Sequence, residues 1–273
     1  NAISAHYDKI KDTPRPGHAD YPARVKYGLD ADLRGGSFFS GRMTAAFVMA
    51  GALAKKILGK QGIKTMAFCK QIGEVKIMRE VSEQEILGNV YQNLVRTAAP
   101  EAVDEMIAQV ESARKDGDSV GGVIECRITG VPPGVGEPMF ESIESVISKA
   151  AFAIPAVKGI EFGSGFAGSS TRGSENNDEF LLSDGKIVTK TNNSGGILGG
   201  LTSGMPIVFK VGIKPTASIF KKQQTVNLRT MQPAQLLIEG RHDPCIAIRA
   251  VPVVESVAAF CILDVLLSSN NSQ

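Results

Sequence analysis

The chain has 273 residues, 43% of them hydrophobic, and a formal net charge of only +2. That balance excludes a disordered chain and an extended basic surface for nucleic acid, and the length fits one large domain or two small ones. The 29 glycines set against 6% aromatic residues predict many tight turns and close backbone approaches. The four cysteines, Cys69, Cys126, Cys245 and Cys261, are widely spread, with no CxxC pair and no Cys/His cluster of metal spacing. They are expected to be buried, reduced thiols, which implies a cytoplasmic protein. Neither a signal peptide nor a membrane-spanning run is read.

In chain order, residues 1–42 read as polar loop. The chain opens at Asn1 with no methionine and is expected to lack the beginning of a longer sequence. Arg15-Pro16-Gly17-His18-Ala19-Asp20-Tyr21-Pro22 is the first chemical cluster. Its prolines and glycine fix the backbone while an arginine, a histidine and an aspartate are displayed. A solvated surface turn and a site loop are both open readings here. Gly35-Gly36-Ser37-Phe38-Phe39-Ser40-Gly41-Arg42 then leads into a helix predicted over about 43–60, where Ala45, Val48, Met49, Ala52, Leu53 and Ile57 recur at helical spacing. A glycine-serine loop at a helix start offers free N–H groups to a phosphate or an anionic ring edge, although the same residues also cap ordinary helices.

Further along, the patterning predicts a short strand at 75–77, helices at 82–98 and 101–115, a strand at 120–129 and a helix at about 140–152. The mixed charges of 61–119 read as solvated faces. A turn through Pro155-Ala156 enters a further strand. Residues 164–205, rich in glycine and asparagine and including Gly199-Gly200, read either as a functional loop or as several plain hairpin turns. A strand at 206–213 is followed by Lys214-Pro215-Thr216-Ala217-Ser218, a cation and two hydroxyls around a proline, and a short strand falls near 235–239. No GxGxxG opens a helix after a strand, which argues against a Rossmann domain.

The last chemical cluster is Gly240-Arg241-His242-Asp243-Pro244-Cys245. Asp243 precedes a proline, so its backbone is biased toward an extended form and a loop. A helix is predicted over about 252–267, with Pro252 in its first turn. It is apolar almost all round, broken by Glu255, Ser256 and Asp264, as suits a core helix. It reads as too short and too interrupted to span a membrane. A polar loop anchored to a core helix is how a preorganised site is usually built.

Taken together, Arg15 to Asp20, Ser40-Gly41-Arg42-x-Thr44, Gly130 to Gly134, Asn192 to Gly200, Lys214-Pro215-Thr216 and Gly240 to Cys245 resemble the chorismate synthase family, in its order and spacing. The resemblance covers essentially the whole chain, read as a single domain over residues 1–273. It implies an α+β fold, a β-α-β sandwich with core helices between antiparallel sheets, assembled as a homotetramer. It also implies a carbon–oxygen lyase of the shikimate pathway. Such an enzyme converts 5-enolpyruvylshikimate-3-phosphate to chorismate and phosphate by anti 1,4-elimination with reduced FMN, and no nucleic acid or membrane partner is expected. Arg15, Arg42 and Arg241 match positions that contact the anionic substrate, which suits guanidinium chemistry. His18 matches the histidine beside the reduced flavin, and Asp243 the carboxylate that helps to remove the substrate proton. Flavin contacts would fall at Phe38, Phe39, Ser40, Pro155, Ala156, Gly199, Lys214, Pro215, Thr216, Ala217, Ser218 and Arg241. Whether NADPH or another protein reduces the flavin is left open.

Two departures stand out. The family's opening Gly-Glu-Ser-His-Gly-like segment is absent, and with it the histidine that serves the leaving phosphate, so the chain alone is expected to form little or no chorismate. Phe38 stands where a polar residue is common. His242 reads as structural or neighbouring. A non-catalytic member that keeps the fold and binds flavin or substrate is the alternative reading; a purely structural oligomerisation module would leave the arginines, His18 and Asp243 unexplained. Arg15, His18, Arg42, Arg241 and Asp243 are expected to line one cleft.

Overall fold

The computed structural model describes residues 11–29, 32, 34–240 and 242–270. Strands β1 (Lys64–Ile72), β2 (Val75–Lys76), β3 (Gly122–Thr129), β4 (Val157–Phe162) and β9 (Ile207–Ile213) form one antiparallel sheet in the order β2-β1-β3-β9-β4. Strands β5 (Phe180–Ser183) with β6 (Lys186–Thr189), β7 (Ile197–Leu198) with β8 (Leu201–Thr202), and β10 (Gln223–Asn227) with β11 (Gln232–Leu236) make three two-stranded ribbons. The class is α+β, with mixed helices and antiparallel sheets.

Period-two alternation decides which way the sheet faces. Ile207, Phe209, Val211 and Ile213 are the buried residues of β9. Cys126 of β3 lies between Ala67 and Phe209 on the same face. That face packs against α2 (Ala45–Gly59), α5 (Ile143–Ala151) and α7 (Ala247–Asn270). Shorter helices α1 (Asp20–Tyr27), α3 (Glu83–Asn89), α4 (Val103–Lys115) and α6 (Gly173–Asn176) complete the described helical structure beside several 3-10 turns. All four cysteines are free and buried.

Several elements differ from the sequence reading, each for a physical reason. The helix expected over 82–98 ends at Asn89. Beyond it, Asn93 donates to the Asn89 and Thr97 carbonyls and accepts from Thr97 N–H, so an asparagine side chain replaces the helical ladder and turns the chain. The charges of 61–119 are not all solvated: Lys70 is 6% exposed and pairs at 3.4 Å with the equally buried Glu125 on the sheet face away from α7. Strand β1 was not anticipated. It is buried on both faces along most of its length, so it shows no apolar–polar alternation.

The core helix α7 begins five residues earlier than expected and carries Pro252 in its interior. With 24 residues it is long and apolar enough to cross a membrane by length and composition. Val251, Val254, Val257, Ala258 and Ile262 are nevertheless buried against the sheet and its neighbouring helices, the environment of a core helix. Its partner α2 runs antiparallel to it, with Phe47 edge-on to Phe260 at one end and Lys55 bonded to Glu255 at the other.

Candidate functional site

The site assembles where β9 ends at Ile213. The chain leaves the sheet through Lys214 to Ser218, and five separate segments are bonded to that turn or to its neighbours. Lys214 N–H donates to the Ala156 carbonyl at 3.0 Å, and Ala156 takes a left-handed φ of 73° beside Pro155. The Lys214 ammonium donates to the Gly17 carbonyl. Ser119 Oγ donates to the Thr216 carbonyl at 2.7 Å, and Thr216 Oγ1 donates to the Asp243 carbonyl at 2.9 Å. Val120 N–H donates to the Pro244 carbonyl at 2.7 Å. The β10–β11 ribbon holds the first segment in turn, through Thr225 Oγ1 on the Pro14 carbonyl at 2.6 Å.

Arg15 and His18 enter this cluster together. Arg15 donates from Nε and Nη2 to the two oxygens of Asp20, at 2.7 and 2.9 Å, and from Nη1 to Ser218 Oγ at 3.4 Å. His18 Nδ1 lies 2.6 Å from Asp20 Oδ1. Burial alone would raise the Asp20 carboxyl, but hydrogen bonds from Arg15 and His18 outweigh it and hold it well below the usual carboxylate range. Gly36 closes over the ring edge. A side chain added there would meet Ser40 Cβ at 3.4 Å and His18 Nε2 at 3.7 Å, and its φ of +88° favours glycine in any case. Ser40 thereby neighbours His18. Arg42 joins the arrangement through Ser40, donating from Nη1 to Ser40 Oγ at 3.3 Å, with its own side chain exposed. Phe39 is half-buried, whereas Phe38 is 78% exposed.

Asp243 is oriented from the helix behind it. Arg249, in the first turn of α7, bonds both carboxylate oxygens, Nε to Oδ2 at 2.9 Å and Nη2 to Oδ1 at 3.0 Å. This fork exists because α7 starts ahead of Pro252. Beside Asp243 lies a small open cleft, lined by Arg114, Asp118, Ser218, Phe220, His242 and Pro244 among others. His242 stacks against Phe220, with ring centroids 5.1 Å apart, and its buried Nε2 has no hydrogen-bond partner among the described residues. Burial first, then the Arg15 charge, push its pKa below the ordinary value, so the ring is held neutral.

Arg15, His18, Asp243, Pro155, Ala156 and the Lys214 to Ser218 turn thus share one end of the sheet. Gly199 does not. It turns the β7–β8 hairpin, whose neighbour Gly196 lies against Pro206 at the start of β9. Arg241 lies outside the described residues. The sequence reading gave no part to Asp20 or Arg249. Asp20 stood in the first cluster, two residues from His18; Arg249 lay six residues past Asp243, but the helix there was read too short to present it.

The donor set fits a phosphorylated flavin in part. The cleft offers an aromatic wall in Phe220, the Ser218 hydroxyl, the Arg114 cation and the orphaned His242 Nε2. Its room is only about 20 Å³, roughly that of one water, so it would take no more than the edge of such a group and leave the rest on the open surface.

A family model described as chorismate synthase matches residues 1–267. The chain is 51% identical over 264 residues to the chorismate synthase of Pyrococcus abyssi, covering 97% of this chain and 73% of that one. It shows the same identity and coverage against the chorismate synthase of Thermococcus kodakarensis. A crystal structure of a chorismate synthase superposes with a TM-score of 0.76 at 30% identity, covering 92% of this chain and 70% of that one.

Proposed function

The chain belongs to the chorismate synthase family of enzymes in aromatic biosynthesis, and from that premise we propose that it converts 5-enolpyruvylshikimate-3-phosphate to chorismate and phosphate by anti 1,4-elimination. The observation that carries this reading is the convergence of Arg15, His18 and Asp243 on the Lys214 to Ser218 turn. Reduced FMN, when bound, supplies an electron-rich ring beside the substrate with no net redox change.

The turn and its neighbours, Lys214, Pro215, Thr216, Ala217, Ser218, Pro155 and Ala156, would hold the flavin, with Phe39 and Ser40 approaching from the His18 side. The Lys214 ammonium suits a phosphate. Asp243 helps to remove the substrate proton, its carboxylate aimed by the Arg249 fork. His18 faces the anionic ring. Arg15, Arg42 and Arg241 hold the substrate's carboxylates and phosphate. Arg15 acts mainly as a buried charge, because its Nε and Nη2 edge is already occupied by Asp20.

The test is an anaerobic assay of the natural gene product with reduced FMN and 5-enolpyruvylshikimate-3-phosphate, following phosphate release and chorismate absorbance together. Equimolar appearance of both is the expected result. Neither product, with FMN binding retained, would leave a flavin-binding relative without this activity.

A further inference from the structure

Asp20 has no part in the chemistry set out above, yet its carboxylate ties Arg15 to His18. It accepts from Arg15 backbone N–H at 3.1 Å, from Arg15 Nε at 2.7 Å and Nη2 at 2.9 Å, and from His18 Nδ1 at 2.6 Å. The three side chains are largely buried, at 8% exposure for Arg15, 14% for Asp20 and 18% for His18.

These contacts allow only one neutral form of the ring. An ionised carboxylate only accepts and a guanidinium only donates. A nitrogen 2.6 Å from Asp20 Oδ1 must therefore carry a proton, which puts the hydrogen on Nδ1. Nε2 is then the unprotonated nitrogen, with Arg15 Nη2 lying against the ring, 3.1 Å from Nδ1 and 3.3 Å from Nε2. The other tautomer would set the Nδ1 lone pair against the carboxylate at 2.6 Å. Lys214, bonded to the Gly17 carbonyl, is the other charged group held at this loop.

We propose that Asp20 is a positioning residue for His18: it fixes the Nδ1–H tautomer and leaves Nε2 as the single basic atom of the ring. The proposal rests on the reading of His18 as the residue that faces the reduced flavin. A proton taken up at Nε2 would make an imidazolium already paired to Asp20, with no rearrangement of the ring. The same carboxylate keeps Arg15 in place, so one side chain orients both groups.

Imidazole ¹⁵N NMR of the labelled protein reads the tautomer directly, with His18→Gln used to assign the resonance. Wild-type protein is expected to show Nδ1 protonated and Nε2 bare. Asp20→Asn, whose amide also donates, is expected to lose that preference and to lower kcat on the order of 10²-fold with a smaller change in KM. Asp20→Glu should recover part of both. The wild-type spectrum needs no variant to fold. An Nε2–H tautomer in the wild-type protein, or an unchanged tautomer and kcat in Asp20→Asn, would overturn the proposal. A tautomer shift in a protein with no turnover would support Asp20's hold on His18 and overturn the reaction proposed for it.

Discussion

Asp243 receives two kinds of support that separate its orientation from the stability of the fold. Thr216 Oγ1 holds its carbonyl, and Arg249 holds both oxygens of its carboxylate. Arg249 is 74% exposed and Asp243 42%, so the pair adds little to stability. Asp243→Asn is therefore expected to lower turnover by about 10²–10⁴-fold while FMN affinity and melting temperature stay near wild type. Arg249→Ala should also reduce kcat at unchanged melting temperature; steady-state kinetics beside calorimetry decides both, and near-normal turnover in Asp243→Asn would remove that carboxylate from the chemistry. His242 gives a pH dependence with a definite sign. Its folded pKa is lowered from the ordinary 6.5, so over that interval the unfolded chain binds a proton that the folded chain does not. The contribution is fully present above the ordinary value and is lost as pH falls through the lowered folded one. His242→Gln should flatten the fall in melting temperature between about pH 7 and pH 5; an identical slope in the two proteins would assign that fall to other groups.

At the level of elements, the contact between α2 and α7 depends on one missing side chain. A Cβ on Gly51 would lie 2.5 Å from Ser256 Cα, a distance at which something must shift. Alanine is the better helix former by about 1 kcal/mol, so propensity alone predicts that Gly51→Ala stabilises. Overpacking at a backbone contact costs about 1–3 kcal/mol and should win, giving a net loss in chemical denaturation; a gain would show that the two helices can part without penalty. The same helices mark how far the sequence could be read. The α2 pattern was legible because Val48, Leu53 and Ile57 recur at helical spacing, and β3 and β9 were legible because they alternate. Strand β1 was hidden by burial on both faces, which removes its period. Pro252 concealed the start of α7, since a proline is far commoner in a first turn than inside a helix. The Asp243 cluster could be named from its residues, but the Arg249 fork could not, because it exists only if the helix extends through Arg249. Asp20 was visible as a residue and invisible as a partner, for its role lies in distances to Arg15 and His18.

For the molecule as a whole, the residues matched to flavin contacts divide between the two ends of β9. Lys214 follows its last residue, whereas the hairpin carrying Gly199 packs beside Pro206 at its first. The span between them is about 20 Å, the length of a seven-residue strand. The Lys214 end carries the ammonium, the hydroxyls, Arg15, His18 and Asp243, so within one subunit it should dominate FMN binding. Lys214→Ala is expected to weaken FMN roughly tenfold, the equivalent of one modest charged contact. Gly199 has open space around it and a left-handed φ of 61°, a conformation asparagine tolerates, so Gly199→Asn tests that hairpin without unfolding it. Its FMN affinity should stay within about twofold of wild type, by the same arithmetic. Flavin fluorescence titrations on both variants settle the matter. A loss in Gly199→Asn as large as that in Lys214→Ala would mean that Gly199 reaches the site from a second copy of the chain, as a homotetramer would permit.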